Sequence, residues 1–332
     1  MADQPQLIGV ILLNLGGPER LADVQPFLYN LFSDRRIIRL GPAFLQKPIA
    51  WMIAKRRAPK SQKAYALIGG GSPLKSLTLQ QGQALEKELG KVARFKVTMA
   101  MRYWQPFARE TLQKLADQNI SRIIALTLYP HYSKATTGSS LDDLRHAAAS
   151  FHDFFDIAEI AAWPDQPDYI QCLADSIAAG MKQFEGDNVQ LVYSAHSLPV
   201  QFIEEGDPYL DDMNKTIGAV EKITGINGHL CFQSRSGPVE WLSPSTPDML
   251  EQLAGQGCSK VLMVPISFVS DHVETLYEID IQYREMAKAL GMTLKRTESL
   301  NVMPRFIDGL KKLVEAAARR KNWLSSGLSS SF

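Results

Sequence analysis

The chain predicts an α/β fold made of two doubly wound units, each with a parallel sheet covered on both faces. Three observations carry that reading. The 332 residues suffice for two domains of ordinary size. Continuous β-branched and leucine-rich strands recur, each followed by a helical pattern, as in sheets buried on both sides. Polar and glycine-rich residues gather directly after these strands, where ligands bind in open α/β sheets.

The first strand is Leu7–Leu15, closed by Gly16-Gly17-Pro18; Phe95–Met101, Arg122–Tyr129, Phe155–Ile160, Val189–Ser194 and Lys260–Val269 follow. Asn14 with the glycines, Arg102-Tyr103, Tyr132–Ser140, His196 and Asp271-His272 stand at five strand ends, so one crevice should collect them. Residues 1-163 form the expected N-terminal domain and 164-302 the C-terminal domain, with a proline-marked crossover around Ala161–Tyr169. Residues 303-332 should supply a helix returning to the first domain, and then a serine-rich tail that frays.

Composition narrows the function. The chain is 45% hydrophobic and 21% charged with a net charge of +1, which offers nothing to nucleic acid. Cys172, Cys231 and Cys258 lie far apart and match neither a disulfide framework nor a C-x-x-C metal pattern, as expected in a reducing compartment. No signal-peptide pattern opens the chain, and no apolar run approaches the roughly 18 residues of a spanning helix. The cytoplasm is the expected location. The stretch 27-60 interleaves Phe27, Phe32, Phe44, Trp51 and Met52 with Arg35, Arg36, Arg39, Lys55, Arg56 and Arg57. That mixture suits a lip touching a membrane surface or an amphipathic anionic ligand. A helix pair with solvated cations is the simpler alternative.

The glycine clusters are not nucleotide loops. Gly16-Gly17-Pro18 lacks G-x-G-x-x-G, and no Gly-Lys-Ser/Thr follows Gly69-Gly70-Gly71-Ser72. Both read as turns or as places where backbone approaches something broad and flat. In Tyr193-Ser-Ala-His-Ser-Leu-Pro199, His196 follows a buried strand directly, a rigid placement that suits a base or a ligand. Ser194 and Ser197 lack the G-x-S-x-G elbow of a hydrolase. The stretch Ser267–Asp280 carries Asp271, His272, Glu274 and Glu278. In an α-helix, Glu274, Glu278 and Gln282 share one face at spacing four, opposite Leu276, Ile279, Tyr283, Met286 and Leu290. Asp271-x-x-Glu274 also reads as a capping box belonging chiefly to Asp271. The like charges of Glu274 and Glu278 should leave at least one carboxyl with a raised pKa. Imidazole with carboxylates could bind Fe(II), Zn(II) or Co(II), or accept protons.

An ordered set of motifs allows a family to be named. They are LLNLGGP (Leu12–Pro18), AKRRAPK (Ala54–Lys60), IGGGSPL (Ile68–Leu74), MRYWQP (Met101–Pro106), YPHYSKATTGSS (Tyr129–Ser140), SAHSLP (Ser194–Pro199), CFQSRSGPVEWL (Cys231–Leu242) and SDHVETLYEID (Ser270–Asp280). Across nearly its whole length the chain resembles the ferrochelatases, which insert Fe(II) into a porphyrin late in haem synthesis. The pattern is closer to the branch acting on protoporphyrin IX than to the coproporphyrin branch. The resemblance implies two Rossmann-like domains with the porphyrin in the cleft between them, and Fe(II) as substrate. His196 matches the metal-site histidine, a proton acceptor or iron ligand, with Glu274 as its carboxylate partner across the macrocycle. Asp271 and His272 support that side, and Glu278 continues an acidic row for protons or metal. By the same resemblance Leu15 would stand over the ring, Arg102 and Tyr103 would face it, and Arg56, Arg57, Tyr65 and Ser72 would lie near the propionates or the cleft lip. Trp241 packs at the pocket wall.

Two departures accompany the match. The mitochondrial enzymes hold a [2Fe–2S] cluster on four cysteines, whereas Lys134 occupies the internal position here, so no cluster and no tightly bound cofactor is expected. Gln282 stands where relatives often carry a third carboxylate. A monomer, peripheral at the inner membrane surface, completes the expectation. The rival readings are a coproporphyrin ferrochelatase, a cobalt chelatase and a non-catalytic tetrapyrrole carrier.

Overall fold

The computed structural model describes residues 6–324 apart from 187, 236 and 238; the expected fraying at 325–332 lies outside them. Among the described residues eight strands form two four-stranded parallel sheets. In the first half they are β1 (Ile8–Asn14), β2 (Phe95–Met101), β3 (Arg122–Thr127) and β4 (Asp156–Ile160). The second half has β5 (Val189–His196), β6 (His229–Gln233), β7 (Lys260–Pro265) and β8 (Thr293–Arg296). The orders are β2-β1-β3-β4 and β6-β5-β7-β8, the same topology twice. No repeat in the sequence reveals that duplication, because parallel ladders constrain hydrophobicity and not residue identity.

The six strands expected from apolar runs are all present, and β6 and β8 are additional. HLCFQ has only three buried residues, and TLKR at the sheet edge has one, so neither makes an apolar run. The strand expected over Lys260–Val269 ends at Pro265, because residues 266–272 turn across the strand tips.

The largest apolar cluster runs continuously from Val10 and Leu12 of β1 to Tyr193 of β5 and Leu262 of β7, through Ile170, Leu173, Leu310 and Val314. The helix Pro304–Arg320 packs on both Leu74–Leu89 of the first half and Pro167–Met181 of the second.

Between β1 and β2, the helices Val24–Ser33 and Gln46–Leu67 pack together. Ala50, Ala54 and Ala58, at spacing four, form the buried stripe, small enough to seat Phe27, Leu28 and Phe32. The opposite side of this lip leaves Phe44 78%, Met52 58% and Trp51 52% exposed. The helices are thus a packed pair that keeps an apolar outer face. The glycine clusters meet each other at Gly17 and Gly71, whereas Gly69 and Gly70 border open space. A Cβ on Gly17 would lie 2.6 Å from Ser72, and one on Gly71 would lie 2.2 Å from Glu19 O. The Ser72 N–H donates to Pro18 O at 2.7 Å, which completes this back-to-back turn.

Candidate active site

His196 is the last residue of β5, on the central strand where the order of the second sheet reverses. Ligands of open α/β sheets bind beyond such strand ends. Its Nδ1 lies 3.1 Å from Glu274 Oε1 and 3.0 Å from Oε2. A carboxylate can only accept, so Nδ1 carries the proton and Nε2 is the free lone pair. The imidazole is 34% exposed while the Glu274 side chain behind it is 14% exposed. This corrects one expectation. Glu274 is not across a flat ligand from His196, because 3.0 Å leaves no room for a ring between them.

Glu274 opens a segment of π-helix, Glu274–Tyr283, and not the α-helix that the spacing predicts. Such wide turns occur frequently at functional sites. The buried line is Thr275, Ile279, Tyr283 and Ala287, and Gln282 lies exposed outside. The capping box is absent as well. The Asp271 carboxylate accepts from Ser299 Oγ (2.7 Å), Asn301 Nδ2 (2.8 Å) and Thr275 Oγ1 (3.1 Å), with Arg296 at 3.2 Å. These donors outweigh burial and hold Asp271 below the usual carboxylate range. Asp271 thus ties the start of the π segment to residues 296–301.

His272 is buried; its Nδ1 donates to Ser270 O at 3.0 Å. That leaves Nε2 without a hydrogen-bond partner, 3.8 Å from Glu274 Oε2. The Phe268 ring lies tilted against His272 at 4.1 Å and meets His196 edge-on at 6.3 Å.

Electrostatics separate the two glutamates. Burial alone would raise Glu274, but the His196 imidazole, with His272 behind it, holds it well below its ordinary value. Burial would likewise lower His196, yet Glu274 overrides it by charge and hydrogen bond and raises the imidazole. At Glu278 burial and the Glu274 charge outweigh the same imidazoles and push it up to about 7. The expected raised carboxyl is therefore Glu278. Between the carboxylates lies Gln233: its amide approaches Glu274 Oε2 at 3.4 Å and Glu278 Oε2 at 3.3 Å, while Ser194 Oγ donates to its Oε1. The Ser234 hydroxyl donates to Glu278 at 2.7 Å. Sequence reasoning missed Gln233, Ser234 and Phe268. The motif CFQSRSGPVEWL contained two of them, but without β6 nothing aimed them at the glutamates.

The first half contributes unevenly. Leu15 and buried Tyr65 share an apolar cluster with Val273, the residue before Glu274. Burial and then the charge of Glu274 raise the Tyr65 phenol, which places it in the field of the site. Arg102 and Tyr103 do not face a cleft as expected. Tyr103 is 1% exposed and donates to Asp34 Oδ2 at 2.7 Å. Arg102 reaches the same oxygen at 2.9 Å, donates to Ser139 Oγ at 2.7 Å and lies 3.6 Å from Asp143. A buried carboxylate on the lip has claimed both. Arg56 and Arg57 stand exposed on the lip helix, Arg57 over the Phe32 ring. Ser72 serves the glycine turn. Trp241 bridges to Pro199, three residues after His196, with its Nε1 buried and unpartnered.

Among the described residues no group of three or more His, Cys, Asp or Glu side chains is arranged to hold a metal ion. What the arrangement offers is a proton-accepting imidazole backed by a carboxylate, with a second carboxyl titrating near neutrality.

Comparison with known proteins agrees with this chemistry. A family model described as Ferrochelatase matches residues 7–318. A ferrochelatase of Desulfotalea psychrophila is 59% identical over 306 residues, 92% of this chain and 96% of that protein. One from Geotalea uraniireducens is 51% identical over 313 residues, 93% of this chain and 98% of that protein. Among solved structures, SirB from Bacillus subtilis with Fe3+ shares the fold, with a TM-score of 0.55 at 12% identity, covering 96% of this chain and 98% of that one. On the match across its length and its close relatives, this chain belongs to the ferrochelatase family.

Proposed function

We propose that this protein inserts Fe(II) into protoporphyrin IX to give protohaem, with release of two protons. The observation that carries the reading is the hydrogen-bonded pair of a part-exposed His196 and Glu274, with Glu278 beside it. A planar porphyrin keeps two protons inside its ring, so metal entry needs a base at the ring centre and binding energy to distort the ring. His196 Nε2 is that base. Glu274, hydrogen-bonded to Nδ1, fixes the tautomer and stabilises the imidazolium formed. Glu278, pushed up to about 7, exchanges protons near neutral pH and passes them outward past Ser234. His196 and Glu274 are also the two donors that would meet the entering cation. Asp271 and His272 hold the π segment in place, and Leu15, Tyr65 and Trp241 supply ring contacts.

Protoporphyrin is favoured over coproporphyrin by the lip. Arg102 is held by Asp34, while Arg56 and Arg57 stand exposed on the lip helix, where a pair of guanidinium groups suits two propionates. Exposed Phe44, Trp51 and Met52 beside them suit a ring with an apolar edge. The same face, with Lys55, Arg56 and Arg57 among its apolar residues, supports peripheral contact with an anionic membrane. No described helix is long and apolar enough to cross a membrane. A [2Fe–2S] cluster does not fit the cysteines. Burial pushes the Cys172 and Cys231 thiols up to about 11, and only three cysteines exist. Unpaired cysteines support a cytoplasmic site of action, and a monomer remains our reading of the oligomeric state.

Loss of free-porphyrin fluorescence on adding Fe(II) or Zn(II), with protoporphyrin and coproporphyrin side by side, tests both catalysis and substrate. Faster turnover of coproporphyrin would reverse the substrate choice. Stoichiometric binding without turnover would make the protein a carrier.

A further inference from the structure

The sheet alone does not account for how His196 is held. Along β5 the ladder to β7 ends at Ser194 and Pro265, with Ile266 N–H donating to Ser194 O at 3.0 Å. Ser197 N–H turns the other way, to Gln233 O of β6. The N–H and C=O of His196 therefore face the side where β7 has stopped. Two side chains take over from the missing strand. His196 N–H donates to Ser267 Oγ at 2.9 Å; the Tyr209 hydroxyl lies 2.8 Å from Ser267 Oγ and 3.0 Å from His196 O.

The proton count allows one arrangement. Ser267 Oγ accepts from His196 N–H and has a single proton, which goes to Tyr209; the phenol proton then goes to His196 O. The hydrogen bonds run head to tail in a closed ring, so each strengthens the next. Tyr209 is itself fixed. Its N–H donates to Asp207 Oδ1 at 3.1 Å, and Asp207 Oδ2 accepts from Lys134 N–H at 2.7 Å and Ser133 Oγ at 3.0 Å. Its ring meets His131 edge-on at 6.2 Å.

We infer that Tyr209 and Ser267 are positioning residues for His196, locking its peptide plane so that the imidazole stays on Glu274 with Nε2 presented to the ligand. The inference rests on the proposed role of His196 as the base. Tyr209→Phe removes one hydroxyl and keeps the buried ring; Ser267→Ala breaks the same ring of hydrogen bonds from the other side. Each should lower kcat for metal insertion by about 10- to 100-fold while KM for porphyrin is unchanged, as expected for a misplaced catalytic group. Because the ring is broken only once, the double variant should be no worse than the more impaired single one. His196→Ala belongs in the same series. If it keeps turnover, the reading of the site fails and this inference goes with it. If it is inactive while both hydroxyl variants keep wild-type kcat, or their losses multiply, the positioning inference alone is overturned. Should Tyr209→Phe not fold, the kcat and KM of Ser267→Ala decide the matter.

Discussion

His196 Nδ1 and Glu274 Oε2 are 3.0 Å apart, joining the tip of β5 to the first residue of a π-helical segment. One side chain ends a strand and the other begins a helix, so neither local element can form the pair alone. Removing the imidazole leaves Glu274 buried beside a vacant site. His196→Ala should abolish insertion while porphyrin still quenches tryptophan fluorescence on binding. Glu274→Gln keeps the shape but not the charge, and should cut kcat by about 10² to 10⁴. A lowered melting temperature with kcat intact would instead make Glu274 a structural residue.

The pH dependence follows from the two raised acceptors. His196 is neutral only above its ordinary value of about 6.5. Glu278 ionises near about 7. Insertion should therefore speed up as pH rises through neutrality. Glu278→Gln should remove one component of that rise and leave the one belonging to His196. Identical pH profiles for the variant and the wild type would exclude Glu278 from proton transfer.

Stability should respond in the opposite direction. A carboxyl raised in the folded state stabilises the protein fully below its unfolded value of about 4.3. That contribution is lost as pH rises through about 7. Glu274, lowered in the folded state, acts in reverse: its contribution is present above the unfolded value and lost in acid. Thermal melts between these limits should thus show wild type losing stability relative to Glu278→Gln as pH increases. Parallel melting curves would contradict the assignment.

Asp34 joins the lip to the first half by accepting from Arg102, Tyr103 and Ser139. Asp34→Ala strands a largely buried guanidinium and should cost about 3–5 kcal/mol. Limited proteolysis should then cut first within the lip. Unchanged melting and cleavage patterns would show that the lip is held by its apolar packing alone.

The outer lip should bind anionic vesicles through Phe44, Trp51 and Met52. Replacing Phe44 and Trp51 by serine removes apolar area worth about 1.5–3 kcal/mol per side chain, and so should weaken co-sedimentation by roughly tenfold or more. The melting temperature should not change, because these side chains contribute little to the core. Equal co-sedimentation of variant and wild type would rule out this contact.

Much of this molecule could be read from its residues in order. Strands buried on both faces must be apolar along their whole length, so β1, β3, β5 and β7 announce themselves, and with them the α/β class. His196, Glu274 and Glu278 could be singled out as candidates as well, through the motifs SAHSLP and SDHVETLYEID and the resemblance they carry. What tertiary structure alone decided are relations between side chains distant in sequence. Glu274 came to lie behind His196, 78 residues away, because the tip of β5 meets the start of the π segment. Arg102 and Tyr103 turned inward because Asp34, 68 and 69 positions earlier, folds over them from the lip. Gln233 found the glutamates only once β6 paired beside β5. The physical reason is common to all three. Hydrophobic periodicity is written locally along the chain, whereas the partner of a buried polar group is chosen by whichever donor or acceptor the packed elements bring within about 3 Å.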